Sequence, residues 1–376
     1  MKSVVRSAKA TPVRVPARPD SLNSRDVDDS DAEFARRFHT GQRWQDFPNE
    51  LKWIIEIQDK DGRVGIGETY RGASREAVEN ALWSLLGQDV MTLNWRCLPV
   101  DDPRVYDSIE SAVLDLAGQT LGVPVYQLLG GVFRTTVECS GWTGRRTPAD
   151  AARKAEEAMH RGHRVFKFKC ASDDSVREWT QAIERRCGDR IRVLLDANQR
   201  WNDIQTTVRL MRGVNPETMF ALEDPIDRAD LAGFRQLRQQ LGIPLCVHVA
   251  LPYSQPAQDL SRAISEQAAD AFNINGPMFR FVELAAAASS AGLPCWHGSE
   301  VDLGILEASA LHASAAAAGC TFPSDIFGEL VREDDLIEDP FKFVQGSATV
   351  PQGPGLGVRL DRTALDRYRA GDPIAC

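Results

Sequence analysis

From Val137 onward the chain alternates between short β-rich runs and helical stretches. The runs are "VECSGW", "RVFKFKC", "IRVLLDAN", "MFALEDP", "IPLCVHV", "DAFNIN", "LPCWHG" and "SDIFGE", and a helical segment fills each of the seven gaps. This alternation requires parallel strands, because each helix returns the chain to the same end of the sheet. Eight such runs in succession predict a closed (β/α) barrel. The alternative is an open doubly wound sheet. That fold more often carries a Gly-rich fingerprint after its first strand, and none occurs here.

The residues ahead of the alternation are organised differently. "VPARPDSLNSRDVDDSDAEF" is rich in Pro, Ser and Asp and reads as a long loop. "LKWIIEIQDKDGRVGIGETY" reads as a β-hairpin turning around Asp61 and Gly62. "SREAVENALWSLLG" and "YDSIESAVLDLAGQTLG" are helical, the second stopping at Gly122 with Pro124 just beyond. The length of 376 residues implies one large or two moderate domains. A net charge of −9 and the absence of a basic run argue against a nucleic-acid partner. The N-terminus lacks an apolar leader core, and no stretch of about 18 apolar residues occurs. A cytoplasmic protein without a membrane partner is therefore expected. The eight cysteines form no CxxC pair and read as reduced packing residues.

Strands of a parallel barrel are buried on both faces and should be apolar. Here polar exceptions gather near the strand C-terminal ends, where barrel active sites form. Lys167 and Lys169 are two apart and share a face, as do Asp196 and Asn198. Glu223, His248 and His297 follow on later strands, "DAFNIN" offers Asn273 and Asn275, and "SDIFGE" ends in Glu329. Lys167 to Asp196, Asp196 to Glu223, Glu223 to His248, and His297 to Glu329 are each about 25–32 residues apart, one strand-helix unit per step. Each residue also has a plainer role. The lysines could line a solvated strand, although a closed barrel has no edge and buried charge is costly without a partner. Asp196 and Glu223 could cap helices. His248 could be a hydrogen-bonded core residue, His297 could pack beside Trp296, and Glu329 could be solvated. Asp196 and Glu223 together, one unit apart, favour a divalent cation, with Asn as a neutral supplement.

These motifs, in this order, resemble the enolase superfamily in its mandelate racemase and muconate lactonizing enzyme branch. "WIIEIQDKDGRVGIGETY" is similar to that family's capping hairpin. "SAVLDLAGQTLGVPVYQLLGG" is similar to its linker helix, "KFK" to its KxK motif, and "DAN" and "LEDP" to its metal-ligand strands. "GPGLGV" resembles the return of the chain to the cap. The resemblance implies an α/β chain, a modified TIM barrel of (β/α)7β form at residues 131–350 under an α+β capping domain at 1–130. Residues 351–376 would rejoin the cap, and a lid loop at about 16–48, with Arg25, Trp44 and Phe47, would cover the mouth.

The implied chemistry is abstraction of a proton α to a carboxylate, giving an enediolate held by Mg²⁺. Lys169 matches the base, Lys167 the residue that contacts the carboxylate, His297 the acid/base on the opposite face, and Glu329 the eighth-strand donor. Asp196 and Glu223 match two metal ligands. The third position holds His248 where the family has a carboxylate, which opens the site to Mn²⁺ or another divalent ion. Asn273 and Asn275 stand near where the racemase-like subgroup places the Asp partner of its His. The sixth-strand Lys of the muconate lactonizing subgroup is absent. An acid-sugar dehydratase is the leading expectation, with His297 protonating the departing hydroxyl. The alternatives are a racemase or epimerase of a carboxylate, and a non-catalytic binding or regulatory barrel with an impaired metal site. A homo-oligomer, dimer or octamer, is a further implication of the resemblance.

Overall fold

The computed structural model describes residues 2–24 and 50–376. Arg25, Trp44, Phe47 and most of the loop expected at 16–48 lie outside the described residues. The first unit is an antiparallel sheet of β1 (Val5–Val13), β2 (Lys52–Asp59), β3 (Val64–Glu68) and the last strand of the chain, β13 (Ile374–Ala375). Its order is β13-β1-β2-β3, so the C-terminus pairs with the first strand. The hairpin turns at the expected place. The Asp59 carboxylate accepts from the backbone N–H of Asp61 and Arg63, and Gly62 supplies a φ of +84°.

Two helices pack on this sheet. Helix α1 (Arg75–Leu85) starts where Ser74 accepts from the Ala77 N–H. Helix α2 (Pro103–Leu121) starts at the Asp102 cap and stops at Gly122, which is left-handed. Gly65 and Gly67 of β3 allow α2 its close approach, since a Cβ on either would strike the carbonyl oxygen of Ala112 or Ser108.

The short helix α3 (Val125–Leu128) and strand β4 (Thr136–Glu138) lead into the barrel. The barrel then runs β5 (Gly141–Thr143), α4 (Pro148–His160), β6 (Val165–Lys169), α5 (Val176–Cys187), β7 (Arg192–Asp196), α6 (Ile204–Met211), β8 (Met219–Glu223) and α7 (Leu231–Leu241). It continues through β9 (Leu245–Ala250), α8 (Gln258–Ser265), β10 (Ala271–Asn275), α9 (Met278–Ser290), β11 (Cys295–His297) and α10 (Gly304–Ala316). The seven strands are parallel and pair in sequence order.

Two expected strands are altered. "VECSGW" divides into β4, which pairs outside the barrel sheet with β12 (Ser347–Thr349), and the barrel strand β5. "SDIFGE" forms no regular strand. Its first two residues bridge the gap: Ser324 N–H bonds the Glu138 carbonyl at 2.8 Å, Ser140 N–H bonds the Ser324 carbonyl at 3.0 Å, and Asp325 N–H bonds the His297 carbonyl at 2.8 Å. The remainder turns into the short helix α11 (Gly328–Val331). The barrel is thus closed by a bridge of two residues, the modified (β/α)7β form.

Alternation along the strands sorts side chains to two faces. Val165, Leu194, Ala221, Cys246, Ala271 and Trp296 meet inside the barrel as an apolar plug. Phe166, Phe168, Leu195, Val249, Phe272 and Ile274 face the helices in the main core. Burying each of these larger side chains contributes about 1.5–3 kcal/mol. The next inward positions toward the strand C-termini are polar, and these form the site.

Candidate active site

The floor of the site is a buried ammonium among carboxylates. Lys167 stands two residues beyond Val165 of the plug, so its side chain also points inward. Its Nζ lies 3.1 Å from Asp196 Oδ2, 2.9 Å from Glu223 Oε2 and 2.8 Å from Asp325 Oδ2. Parallel register sets the height, with Lys169 opposite Asp196 and Asp196 opposite Glu223. Lys169 lies nearer the opening, its side chain 11% exposed against 3% for Lys167. Its Nζ donates to Asp196 Oδ2 at 2.6 Å and to Asn198 Oδ1 at 2.9 Å. Burial pushes the Lys167 pKa down, but the three carboxylates outweigh it and hold the group well above its ordinary value. For Asp196 burial raises the pKa, while Lys167 and Lys169 bring it far below the usual range. Burial and the charge of Asp196 hold Glu223 above its ordinary value.

The other side of Glu223 faces His248. Glu223 Oε1 accepts from Asn273 Nδ2 at 2.9 Å and lies 3.5 Å from His248 Nδ1. His248 Nε2 lies 2.7 Å from Asn275 Oδ1. An amide oxygen only accepts, so Nε2 carries the ring proton and Nδ1 presents a lone pair. Burial, and repulsion by Arg228 and Lys167, lower the His248 pKa well below 6.5 and keep the ring neutral. Arg228 Nη2 stands 3.4 Å from that lone pair, and its Nε donates to Asp224 Oδ2. Asp224 Oδ1 accepts the His248 N–H at 3.0 Å.

Glu223, Asp224 and His248 each place a donor atom within 4.8 Å of the others. The donor set suits a divalent ion. Glu223 Oε1 and His248 Nδ1, 3.5 Å apart, are too far for a hydrogen bond. Two ligands that each approach one small ion to about 2.1 Å lie about 3.0–3.4 Å apart, so this pair would close slightly around an ion. A neutral imidazole whose second nitrogen donates to Asn275 also has the orientation expected of a ligating His. Asp196, expected as a ligand, is not among these three; its Oδ2 is paired with Lys167 and Lys169. Asp224, the residue after Glu223 in "LEDP", is the third member of the group.

Residues 150–364 match the enolase C-terminal domain-like family. The chain belongs to that family. Its fold matches the N-succinyl Arg/Lys racemase of Bacillus cereus with a TM-score of 0.81 over 100% of both chains, at 20% identity. In sequence it is 28% identical over 342 residues to muconate cycloisomerase 1 of Pseudomonas putida, covering 84% of this chain and 89% of that one. It is 26% identical over 370 residues to D-gluconate dehydratase of Thermoproteus tenax, covering 88% and 71%. The relatives of this enolase-superfamily enzyme thus include isomerases and a dehydratase.

Two residues singled out in the sequence are not brought to the site of this enolase-family barrel. Consecutive residues of a strand point to opposite faces, and Trp296 fills the inward position of β11. His297 therefore faces outward. It stacks on Phe281 of α9 at 4.6 Å and lines a small cavity with Tyr70, Asp107 and Asp302 at the boundary with the cap. Its Nδ1 lies 2.7 Å from the Gly298 carbonyl, and burial lowers its pKa. Glu329 falls on α11, partly exposed, 3.9 Å from Arg18. The acid that the eighth position contributes is Asp325, because only the first two residues of "SDIFGE" continue the barrel wall.

Sequence reasoning also missed Asp224, Arg228 and a group at the mouth. In that group Arg71 lies 2.6 Å from Glu300 Oε2 and 3.0 Å from the Tyr253 hydroxyl, which itself donates to Glu300. Asp224 and Asp325 sat inside quoted runs and were legible as acids. Arg71, Tyr253 and Glu300 lie on loops with no periodicity to mark them. Asn198, Asn273 and Asn275 all reach the site as side-chain partners of Lys169, Glu223 and His248.

Proposed function

We propose that this protein removes the proton α to the carboxylate of a small hydroxy acid and expels a β-hydroxyl as water, an acid-sugar dehydration. The observation that carries this is Lys169, the KxK lysine nearer the opening, beside Asp196 and Asn198 and above the buried Lys167. In its unprotonated form the Lys169 amine accepts the α-proton. As the ammonium so formed it returns that proton to the hydroxyl leaving from the adjacent carbon on the same face. The Cα–H and Cβ–O bonds break, water departs, and the enol left behind becomes a 2-keto-3-deoxy acid. Lys167 supplies fixed positive charge beneath the developing enediolate, preorganised by its three carboxylates. A divalent ion held by Glu223, Asp224 and His248, Mg²⁺ or the more imidazole-tolerant Mn²⁺, would supply the remaining charge stabilisation.

Racemisation needs a second base on the opposite face. His297 faces away, and the His248 lone pair is turned to Glu223 and Arg228, so among the described residues no free imidazole faces Lys169. This favours elimination over racemisation. A binding barrel without chemistry is supported by one observation: Asp196, Glu223, Asp224 and Asp325 each already have a cationic partner.

The test is a panel of acid sugars and hydroxy acids in D₂O with Mg²⁺ or Mn²⁺, followed by proton NMR. Loss of the α-proton signal and appearance of a 2-keto-3-deoxy acid are expected, and Lys169→Ala should abolish both. Exchange with formation of the α-epimer would mean racemisation. No exchange with any acid would favour the binding barrel.

A further inference from the structure

We infer that Arg228 is a resident counter-cation on the metal seat, and that a divalent ion binds by exchange with its guanidinium. This rests on the proposal that Glu223, Asp224 and His248 hold the ion. Arg228 engages two of those three groups: Nε donates to Asp224, and Nη2 faces the His248 Nδ1 lone pair at 3.4 Å. That lone pair is the one an ion needs, since His248 Nε2 is committed to Asn275. Guanidinium and ion therefore compete for the same two donors.

Charge favours exchange over joint occupancy. With all four carboxylates ionised and Lys167, Lys169 and Arg228 protonated, Asp196, Glu223, Asp224 and Asp325 and their cationic partners form a cluster with one net negative charge. An ion replacing the guanidinium brings the cluster to neutrality. An ion added beside it leaves one buried positive charge, which is costly without a partner. Arg228 is also the member of the cluster able to leave. Its side chain is 20% exposed, against 3% for Lys167. The main chain beneath it is anchored, with Arg228 N–H on Gln199 Oε1 at 3.2 Å and Gln199 N–H on the Asp224 carbonyl at 2.6 Å. The side chain can swing toward water while the ligands stay in place. Arg228 acts here as a positioning residue that holds Asp224 and His248 ready and sets the affinity for the ion.

The experiment is calorimetric titration of Mn²⁺ into the full chain, its Arg228→Met variant and its Arg228→Lys variant, with folding checked by circular dichroism. Removing the competing charge-assisted bonds should tighten Mn²⁺ binding in Arg228→Met by roughly ten-fold or more. Arg228→Lys keeps the charge with a shorter reach and should fall between the other two, so it carries the test if Arg228→Met does not fold without the ion. Equal or weaker binding by both variants would overturn the exchange and leave the metal seat standing. No Mn²⁺ binding by any of the three proteins would overturn the metal seat itself, and the exchange with it.

Discussion

Replacing Lys52 by Met removes the ammonium that joins the capping sheet to the barrel mouth. Lys52 begins β2, and its side chain is 2% exposed. Its Nζ is paired with Glu68 at the end of β3 and lies 2.9 Å from Asp302 Oδ1 in the loop after β11. Met keeps most of the aliphatic stem and deletes the charge. Both acids remain buried but keep other donors. Glu68 retains the N–H groups of Leu303 and Leu306, at 2.8 and 3.0 Å, and Asp302 retains Ser299 Oγ and the Glu300 N–H, at 2.9 and 3.0 Å. Removing one partner of a buried ion pair costs about 3–5 kcal/mol, and the retained bonds place this site at the lower end, near 3 kcal/mol. A chain of 376 residues unfolds with an entropy of about 0.8 kcal/mol/K, so the expected fall in Tm is about 4 °C.

The pH dependence follows from Asp302. Burial raises its pKa, but Lys52 and the neighbouring donors bring it below the usual 3.8. A lowered acid contributes stability above its unfolded pKa and loses it as pH falls through the folded one. The deficit of Lys52→Met should therefore be full at pH 7 and narrow below about pH 4. Scanning calorimetry of both proteins at the two pH values measures this. The double variant Lys52→Met/Asp302→Asn should recover part of the loss, since one unpaired charge is removed. A Tm shift under about 1 °C, or a deficit that widens on acidification, would refute the assigned role.

Three further outcomes are expected. Asp325→Asn removes a carboxylate that positions Lys167 and should lower turnover by about two orders of magnitude, whereas Glu329→Gln should leave it within about two-fold, because an exposed pair is worth little. Steady-state kinetics with the acid found by exchange measures both, and the reverse ranking would return the eighth-position role to Glu329. His297→Asn should cost stability through its lost packing on Phe281 yet preserve α-proton exchange, and loss of exchange in a folded variant would place the imidazole in the chemistry. Burial raises Glu110 to about 8, against the N–H bonds from Met278 and Phe279 that pull it down. A raised acid makes the folded state hold its proton longer, so it lowers stability as pH rises from about 4.5 to about 8. Glu110→Gln should show a shallower fall of Tm over that range, and an unchanged slope would exclude Glu110 as the source.

The barrel was legible because its signal repeats. Seven βα units each carried a β-rich run and a helix, and the polar residues recurred once per unit. The two-residue period of the runs places Lys167 with Lys169 and Asp196 with Asn198 on one face. The structure departs from the expected placement where a run was too short to carry a period. "CWHG" forms three strand residues, and nothing local says whether Trp296 or His297 turns inward. The bulk of Trp296 fits the plug formed by five other strands, and that choice turns His297 out. "SDIFGE" holds two acids, and the backbone bridge to Glu138 and His297 selects Asp325.

Local chemistry along the chain thus determined the elements, their parallel order and the residue types that reach the barrel mouth. It also placed an imidazole, His248, in the run that forms the fifth barrel strand. Tertiary structure decided which charges meet. Lys167 among three carboxylates, and Arg228 against Asp224 and His248, are contacts set by strand phase and by a loop side chain folding back. Periodicity carries a strand's face. It does not carry the pairing of buried charges, which depends on distances of a few ångströms between residues far apart in sequence.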